Sequence, residues 1–167
     1  MEESLMGSHE EGRTGEPAGH PQEAEEGLRG LQKAMNLEKH DMTAYSPLQL
    51  AYLGDAVYEL MARSHVLANV QAPVEKLHHT TTGLVKAQAQ AAIYHALEGE
   101  LSEEEKTIYR RGRNTKSYSR AKNASLSEYR IATGFEALMG WLFLTEQYCR
   151  IADICRKGFD LIEKGKE

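Results

Sequence analysis

Apolar residues recur at intervals of three and four along most of the chain, which is the spacing of one face of an α-helix. The first such stretch begins at Pro47, directly after Ser46, a residue type that caps helix N-termini well. We predict a helix over residues 47–68. Its buried face is expected to consist of the apolar residues Leu50, Leu53, Val57, Leu60 and Met61.

The remainder of the chain is also predicted to be helical, because no alternating strand pattern or internal repeat occurs. Further helices are predicted over residues 28–40, 74–97, 102–112, 128–145 and 148–164. Ser102 and Glu105 form a capping box at the start of one of them, and Ser127 is the expected cap of another. A kink is expected near Gly83. The fold class is therefore all-α, a bundle of five to six helices.

Charge is distributed unevenly along the chain. Residues 1–43 contain no aromatic residue and carry ten acidic side chains against four basic ones. Such a composition cannot bury a core, so 1–43 is predicted to be an acidic tail, disordered at least over its first 27 residues. A single domain is expected over 44–167. Because the net charge of −5 comes from the tail, the folded part is close to neutral, and the acidic pI does not argue against RNA binding.

Two isolated acids are the candidate chemical groups. Asp55 follows Gly54 and lies about 140° around the helix from Leu50. On its own it is most simply a solvated acid beside a glycine that packs against another helix. Glu136, however, is the only charge in the apolar run 132–144, and a buried carboxylate requires a partner such as an Arg or a metal ion. Two glycine-containing helices that cross closely would bring Asp55 and Glu136 together, an arrangement typical of a Mg²⁺ site.

A basic segment precedes the helix of Glu136. Residues 106–122 contain seven basic residues and no acidic one, with two tyrosines among them. A solvated basic loop is the simplest interpretation. Beside a two-acid site, the segment also fits binding to a phosphate backbone. The candidate RNA-binding residues are Arg110, Arg111, Arg113, Asn114, Lys116, Arg120 and Lys122.

The stretches Leu-Gly-Asp-Ala-Val at 53–57 and Phe-Glu-Ala-Leu-Met-Gly at 135–140 resemble the two acidic motifs of the ribonuclease III family. Over residues 46–160 the chain is most similar to the bacterial branch of that family without a double-stranded RNA-binding domain, Mini-ribonuclease III. The resemblance implies a cytoplasmic endonuclease that cleaves double-stranded RNA and leaves 5′-phosphates. Its implied cofactor is Mg²⁺, with Mn²⁺ as a substitute, held by Asp55 and Glu136 as metal ligands and catalytic residues. The implied substrate is the precursor of large-subunit ribosomal RNA.

The resemblance also implies a homodimer with the helices of the first motif at the interface, near Leu50, Leu53 and Val57. No run of apolar residues is long enough for a membrane span.

The chain departs from the broad family at three positions. Acids that the family usually has four and seven residues before the Asp, and three before the Glu, are here Ala51, Leu48 and Thr133. Mini-ribonuclease III is similarly poor in acids. Two alternatives stay open: a non-catalytic RNA-binding or ribosome-associated protein of the same fold, and a helical protein-interaction module.

The remaining metal-ligating residue types suggest no second site. His78 and His79 are adjacent and face different directions on a helix, which makes them a poor metal site. Cys149 and Cys155 are too far apart on one helix for a disulfide and are predicted to be reduced core thiols.

Overall fold

The structure, a computed structural model, describes residues 21–36, 41–116 and 125–165. The all-α prediction is confirmed, and these residues form seven α-helices and no strand. The helices are α1 (Pro21–Ala34), α2 (Pro47–Asn69), α3 (Val74–Val85), α4 (Ala87–Leu97), α5 (Glu103–Arg113), α6 (Leu126–Leu144) and α7 (Tyr148–Lys164). Short 3₁₀ turns lie at Met42–Ala44 and Glu98–Glu100.

Capping boxes fix the starts of three helices. The Ser46 hydroxyl accepts a hydrogen bond from the backbone of Gln49, and the Gln49 side chain accepts one from the Ser46 N–H. The same exchange opens α5 at Ser102 and α6 at Ser125. The cap of α6 is therefore Ser125 and not Ser127, because only Ser125 has a glutamate three residues later that completes the box.

The predicted helix 74–97 is two helices. The break lies at Lys86, whose backbone is extended with φ −61° and ψ 153°, and not at Gly83, which continues α3. The Lys86 N–H still donates to the Thr82 carbonyl, so α3 ends without an unsatisfied amide at this point. This break accounts for the seventh helix.

Helix α6 lies at the centre of the bundle and contacts α2, α4, α5 and α7. Its residues from Ile131 to Leu142 are all buried apart from Glu136, which is partly exposed. An almost fully apolar helix is stable only when neighbours surround it, so the other helices are arranged about α6.

Helix α2 packs against α6 along a face that differs in part from the predicted one. Leu50 and Val57 are buried, and Leu53 and Met61 are partly buried. Leu60 was expected in the core and is instead 58% exposed. The buried face of α2 instead includes Ala51 and Tyr58, because the face that touches α6 is centred on Gly54.

The backbones of α2 and α6 touch at two glycines. A Cβ atom built on Gly54 would lie 1.7 Å from the carbonyl oxygen of Glu136, and one on Gly140 would lie 2.0 Å from that of Leu50. No side chain larger than hydrogen fits at either position. The pair therefore sets how closely the two helices approach.

The amino-terminal segment contains one described helix. Helix α1 begins at residue 21 and packs on α7. Arg29 forms an ion pair of 3.1 Å with Glu146, and the buried Tyr148 hydroxyl donates to Gln32 at 2.7 Å. Residues 1–20 and 37–40 lie outside the described part, and the disorder of the tail stays a prediction. The domain boundary after residue 43 remains a prediction.

Cys155 is buried and Cys149 is exposed, so only one of the two cysteines belongs to the core as predicted. Among the described helices, none is both long enough and apolar enough to span a bilayer.

We predict that Gly54→Ala is strongly destabilising. The added methyl group would meet backbone atoms of α6, which cannot rotate away, so the helices must separate. The expected loss in the free energy of unfolding is more than about 3 kcal/mol, at the upper end for overpacked sites. Gly99→Ala is the control, because its Cβ meets nothing within 4 Å. Urea unfolding compares the two variants, and equal stabilities would contradict the close helix contact.

Candidate active site

The close contact of α2 and α6 brings the two isolated acids together. Asp55 follows Gly54 directly, and the atom that Gly54 faces across the contact is the backbone carbonyl of Glu136 itself. The two carboxylates are near enough for Asp55 to disfavour ionisation of Glu136. The sequence-based prediction that the glycines permit this approach agrees with the geometry.

Glu136 is the more strongly perturbed of the two acids. Burial and, after it, the Asp55 charge raise the pKa of Glu136 to about 7. A hydrogen bond from the side chain of Gln90 opposes this rise in part. At neutral pH, a positive charge added beside Glu136 would therefore stabilise the ionised form of its carboxyl group.

Asp55 lies at the solvent side of the same site. Partial burial and then the nearby Glu59 carboxylate raise the pKa of Asp55. Glu59 itself is paired with Arg63 at 2.7 Å, and no basic side chain in the described part of the chain forms an ion pair with Asp55 or Glu136. The Asp55–Glu136 pair is thus left with a surplus of negative charge.

This surplus suits a divalent cation. Two carboxylates at one point, with room for water, are the ligands that Mg²⁺ prefers. The described residues contain no cluster of three or more His, Cys, Asp or Glu side chains that could hold a metal. A cation here would therefore take most of its ligands from water and substrate.

Gln90 is a residue of this site that the sequence-based reasoning missed. Its side-chain N–H groups donate to Glu136 Oε1 at 3.1 Å and to the Val85 carbonyl at 2.9 Å. A signal did exist in the sequence. Gln90 shares one face of α4 with the buried residues Ile93 and Leu97, where a polar residue is unusual.

The candidate RNA-binding residues fall into three groups. Arg110, Arg111 and Arg113 form the last turn of α5, and Asn114 caps that helix. Lys116 is exposed at the end of this segment, while Arg120 and Lys122 lie outside the described residues. Glu103 forms an ion pair with Lys106 at 3.1 Å. The charge that Glu103 neutralises is therefore that of Lys106 and not that of Arg113.

A basic cavity of about 370 Å³ lies beside this turn. Lys106, Arg110 and Arg113 line it together with Tyr94 and Tyr109, whose rings stack at 3.7 Å. The cavity also reaches Ile131 on α6, five residues before Glu136 and hence about 7.5 Å from it along the helix. Ile131 lies about 140° from Glu136 around α6, so the cavity and the acid pair adjoin different faces of the same helix.

The sequence profile of the Ribonuclease III domain matches residues 48–147, which is more than half of the chain. The chain belongs to the ribonuclease III family. Members of this family are endoribonucleases, so the chain is an enzyme of that class.

Individual relatives agree with this assignment. The chain is 42% identical over 130 residues to Mini-ribonuclease 3 of Clostridium tetani, covering 77% of this chain and 86% of that protein. It is 47% identical over 116 residues to Mini-ribonuclease 3 of Enterococcus faecalis, covering 68% and 88%. A crystal structure of a Fusobacterium nucleatum protein superposes with a TM-score of 0.65 at 32% identity, covering 76% of this chain and 98% of that one.

Two of the three positions at which acids were absent from the sequence pattern, Ala51 and Thr133, are buried here. Ala51 is buried in the core, and Leu48 is 38% exposed. Thr133 is buried, and its hydroxyl donates a hydrogen bond to the Tyr129 carbonyl at 3.0 Å.

His78 and His79 are both exposed on α3.

We predict that Glu136→Gln stabilises the metal-free protein at neutral and alkaline pH. The Glu136 pKa is higher in the folded state than its ordinary 4.5. The folded state therefore loses free energy relative to the unfolded state as pH rises from about 4.5 to 7, by roughly 3 kcal/mol at most. Glutamine removes this loss. Thermal unfolding in chelator should give a higher Tm for the variant at pH 8 and similar values at pH 4.5. A lower Tm of the variant at pH 8 would contradict the uncompensated charge.

Proposed function

We propose that this chain cleaves double-stranded RNA with the help of Mg²⁺, for which Mn²⁺ can substitute, held by Asp55 and Glu136. The observation that carries the proposal is the pair of carboxylates gathered at the glycine contact of α2 and α6, with surplus negative charge. The similarity to relatives named Mini-ribonuclease 3 supports the same activity.

The chain's own residues supply positioning and binding. Asp55 and Glu136 would hold the cation, and the backbone contact at Gly54 and Gly140 fixes the helices that carry them. When bound, the cation lowers the pKa of a water molecule and stabilises charge on the scissile phosphate. In the cleavage, the water oxygen bonds to phosphorus and the bond from phosphorus to the 3′-oxygen breaks. The 3′-oxygen takes up a proton, and the phosphate stays on the 5′ end.

The basic turn of α5 is the proposed RNA surface. Arg110, Arg111 and Arg113 are exposed. Arg110 and Arg113 also line the cavity that reaches Ile131 on α6, the helix that carries Glu136. Arg side chains suit this role because their planar donors match phosphate oxygens. Asn114 and Lys116 directly follow this turn in the chain, and we assign them to the same surface. Arg120 and Lys122 lie outside the described residues and stay candidates from the charge pattern of the sequence.

We also propose a homodimer, with an interface that differs from the expected one. Leu50 and Val57 are buried within the chain's own core and cannot reach a partner. The outer face of α2 instead exposes Leu48, Tyr52 and Leu60, with Tyr52 at 84%. Asp55 lies only about 20° from Leu48 around the helix. A dimer through this face would set two acid sites close to one interface, which matches the two strands of a duplex.

The precursor of large-subunit ribosomal RNA is the proposed substrate, and the cytoplasm the proposed location. Both rest on the family resemblance. Incubation of the enzyme with a precursor transcript tests the substrate, and we expect cleavage within its double-stranded part. Unchanged precursor, together with cleavage of an unrelated hairpin, would exclude this assignment.

The activity is tested with a labelled RNA hairpin in Mg²⁺ and in chelator. We expect cleavage to 5′-phosphate ends only with Mg²⁺. Asp55→Asn and Glu136→Gln should each lose most cleavage while RNA binding and helical content persist, because both changes remove a ligand charge and retain side-chain shape. Binding without cleavage by the wild-type protein would favour the non-catalytic alternative. Full activity of either variant would contradict the two-carboxylate mechanism.

The RNA surface is tested by the salt dependence of binding. Arg113→Ala with Lys116→Ala should remove about two phosphate contacts and reduce the log–log salt slope by roughly 2, on the calibration for B-DNA. Arg156→Ala with Lys164→Ala removes the same charge from the surface of α7 and is the control. A slope that changes equally in both variants would point to net charge rather than to a local surface.

The proposed interface predicts that Tyr52→Asp yields a monomer. A charge in the middle of the apolar face of α2 would have to be buried without a partner in the dimer. Leu161→Asp, at an apolar residue of α7 that is also exposed, is the control and should remain dimeric. Light scattering at micromolar concentration distinguishes them. A wild-type protein that is monomeric and active would rule the dimer out.

A further inference from the structure

Gln90 is an unusual residue for its surroundings, because only 2% of it is exposed. A buried amide costs free energy unless its polar atoms are hydrogen-bonded. Its two donor contacts, to Val85 and Glu136, both end on oxygen acceptors. If the amide were rotated by 180°, its oxygen would face the carbonyl oxygen of Val85 and the carboxylate oxygen of Glu136. The two contacts therefore identify the end of the amide that faces them as the nitrogen.

The opposite end of the amide lacks a partner. Gln90 Oε1 is buried and accepts no hydrogen bond from any group in the described part of the chain. It is attached to the same carbon as the nitrogen that binds Glu136, so it lies at the edge of the acid site. A donor that enters the site would satisfy this oxygen, and water bound to a cation is such a donor.

We propose that Gln90 is a positioning residue for Glu136. Its N–H holds the Glu136 carboxylate in the orientation that binds the cation, and its Oε1 accepts a hydrogen bond from a water molecule of that cation. The inference rests on the proposed function, since it requires a cation at the acid pair. Groups that orient metal ligands in this way typically contribute 10- to 100-fold to metal affinity or activity.

The chemistry of an amide suits this place better than its alternatives. A glutamate would add a third negative charge at the acid pair, and a leucine would leave Glu136 without a donor. Asparagine retains the amide but is one methylene shorter, so it cannot reach both Val85 and Glu136 from the same backbone position. Of these four residues, only glutamine reaches both Val85 and Glu136 as a donor and also offers water an uncharged acceptor.

The experiment compares Gln90→Leu and Gln90→Asn with the wild-type protein and with Tyr58→Phe. Tyr58→Phe removes another buried hydrogen bond, from the Tyr58 hydroxyl to the Leu84 carbonyl at 3.0 Å, and leaves both acids untouched. Two quantities are measured: the rise in Tm on adding Mn²⁺ to chelator-treated protein, and the Mg²⁺ concentration that gives half-maximal hairpin cleavage.

We expect both Gln90 variants to show a smaller Mn²⁺-induced rise in Tm and a half-saturating Mg²⁺ concentration at least about tenfold higher. The KM for RNA should change by less than about twofold. Tyr58→Phe should lower the Tm in chelator and leave both metal responses as in the wild type. A Gln90 variant that loses Tm in chelator but keeps the wild-type metal responses would overturn the inference and show a structural role.

The wild-type protein separates this outcome from failure of the proposed function. If it neither responds to Mn²⁺ nor cleaves RNA, the metal site itself is wrong. If it does both and the Gln90 variants do so equally well, only the role of Gln90 is refuted. Should Gln90→Leu fail to fold, Gln90→Asn decides alone, because it preserves the polarity and nearly the volume of the side chain.

Discussion

The contact between the backbones of α2 and α6 at Gly54 and Gly140 is the constraint on which the structure depends. It allows two helices to approach until the carbonyl of Glu136 occupies the space where a side chain of residue 54 would be. Because Asp55 is next to Gly54, the same contact determines how far apart the two acids lie. The same two glycines therefore determine both the packing of the helices and the geometry of the site.

The electrostatic interactions within the site oppose its formation. Glu136 is buried beside Asp55, and the only described side-chain donor to it is the neutral Gln90. The apolar packing of α6 must offset the free energy of this arrangement, since a carboxylate alone in that environment would remain protonated or move outward. A locally unfavourable arrangement of this kind is typical of functional sites at which a bound ligand supplies the missing interactions.

Much of the fold and part of the site follow from sequence patterns. Capping residues and apolar spacing predict helix positions well, because both are local, as at Ser46 and Ser102. Glu136 was identifiable because a lone charge in an apolar helix requires a partner. What failed depended on distant contacts. The exposure of Leu60 and the link from Gln90 to Glu136 both depend on which helices become neighbours.

The most direct test of this account is the position of a bound cation. Crystals grown with Mn²⁺ would be measured at a wavelength at which manganese scatters anomalously. The account predicts an anomalous peak within about 2.0–2.4 Å of one carboxylate oxygen from each of Asp55 and Glu136, the distance range of divalent cations bound by oxygen. A peak elsewhere, or full occupancy at this site in Glu136→Gln, would contradict it.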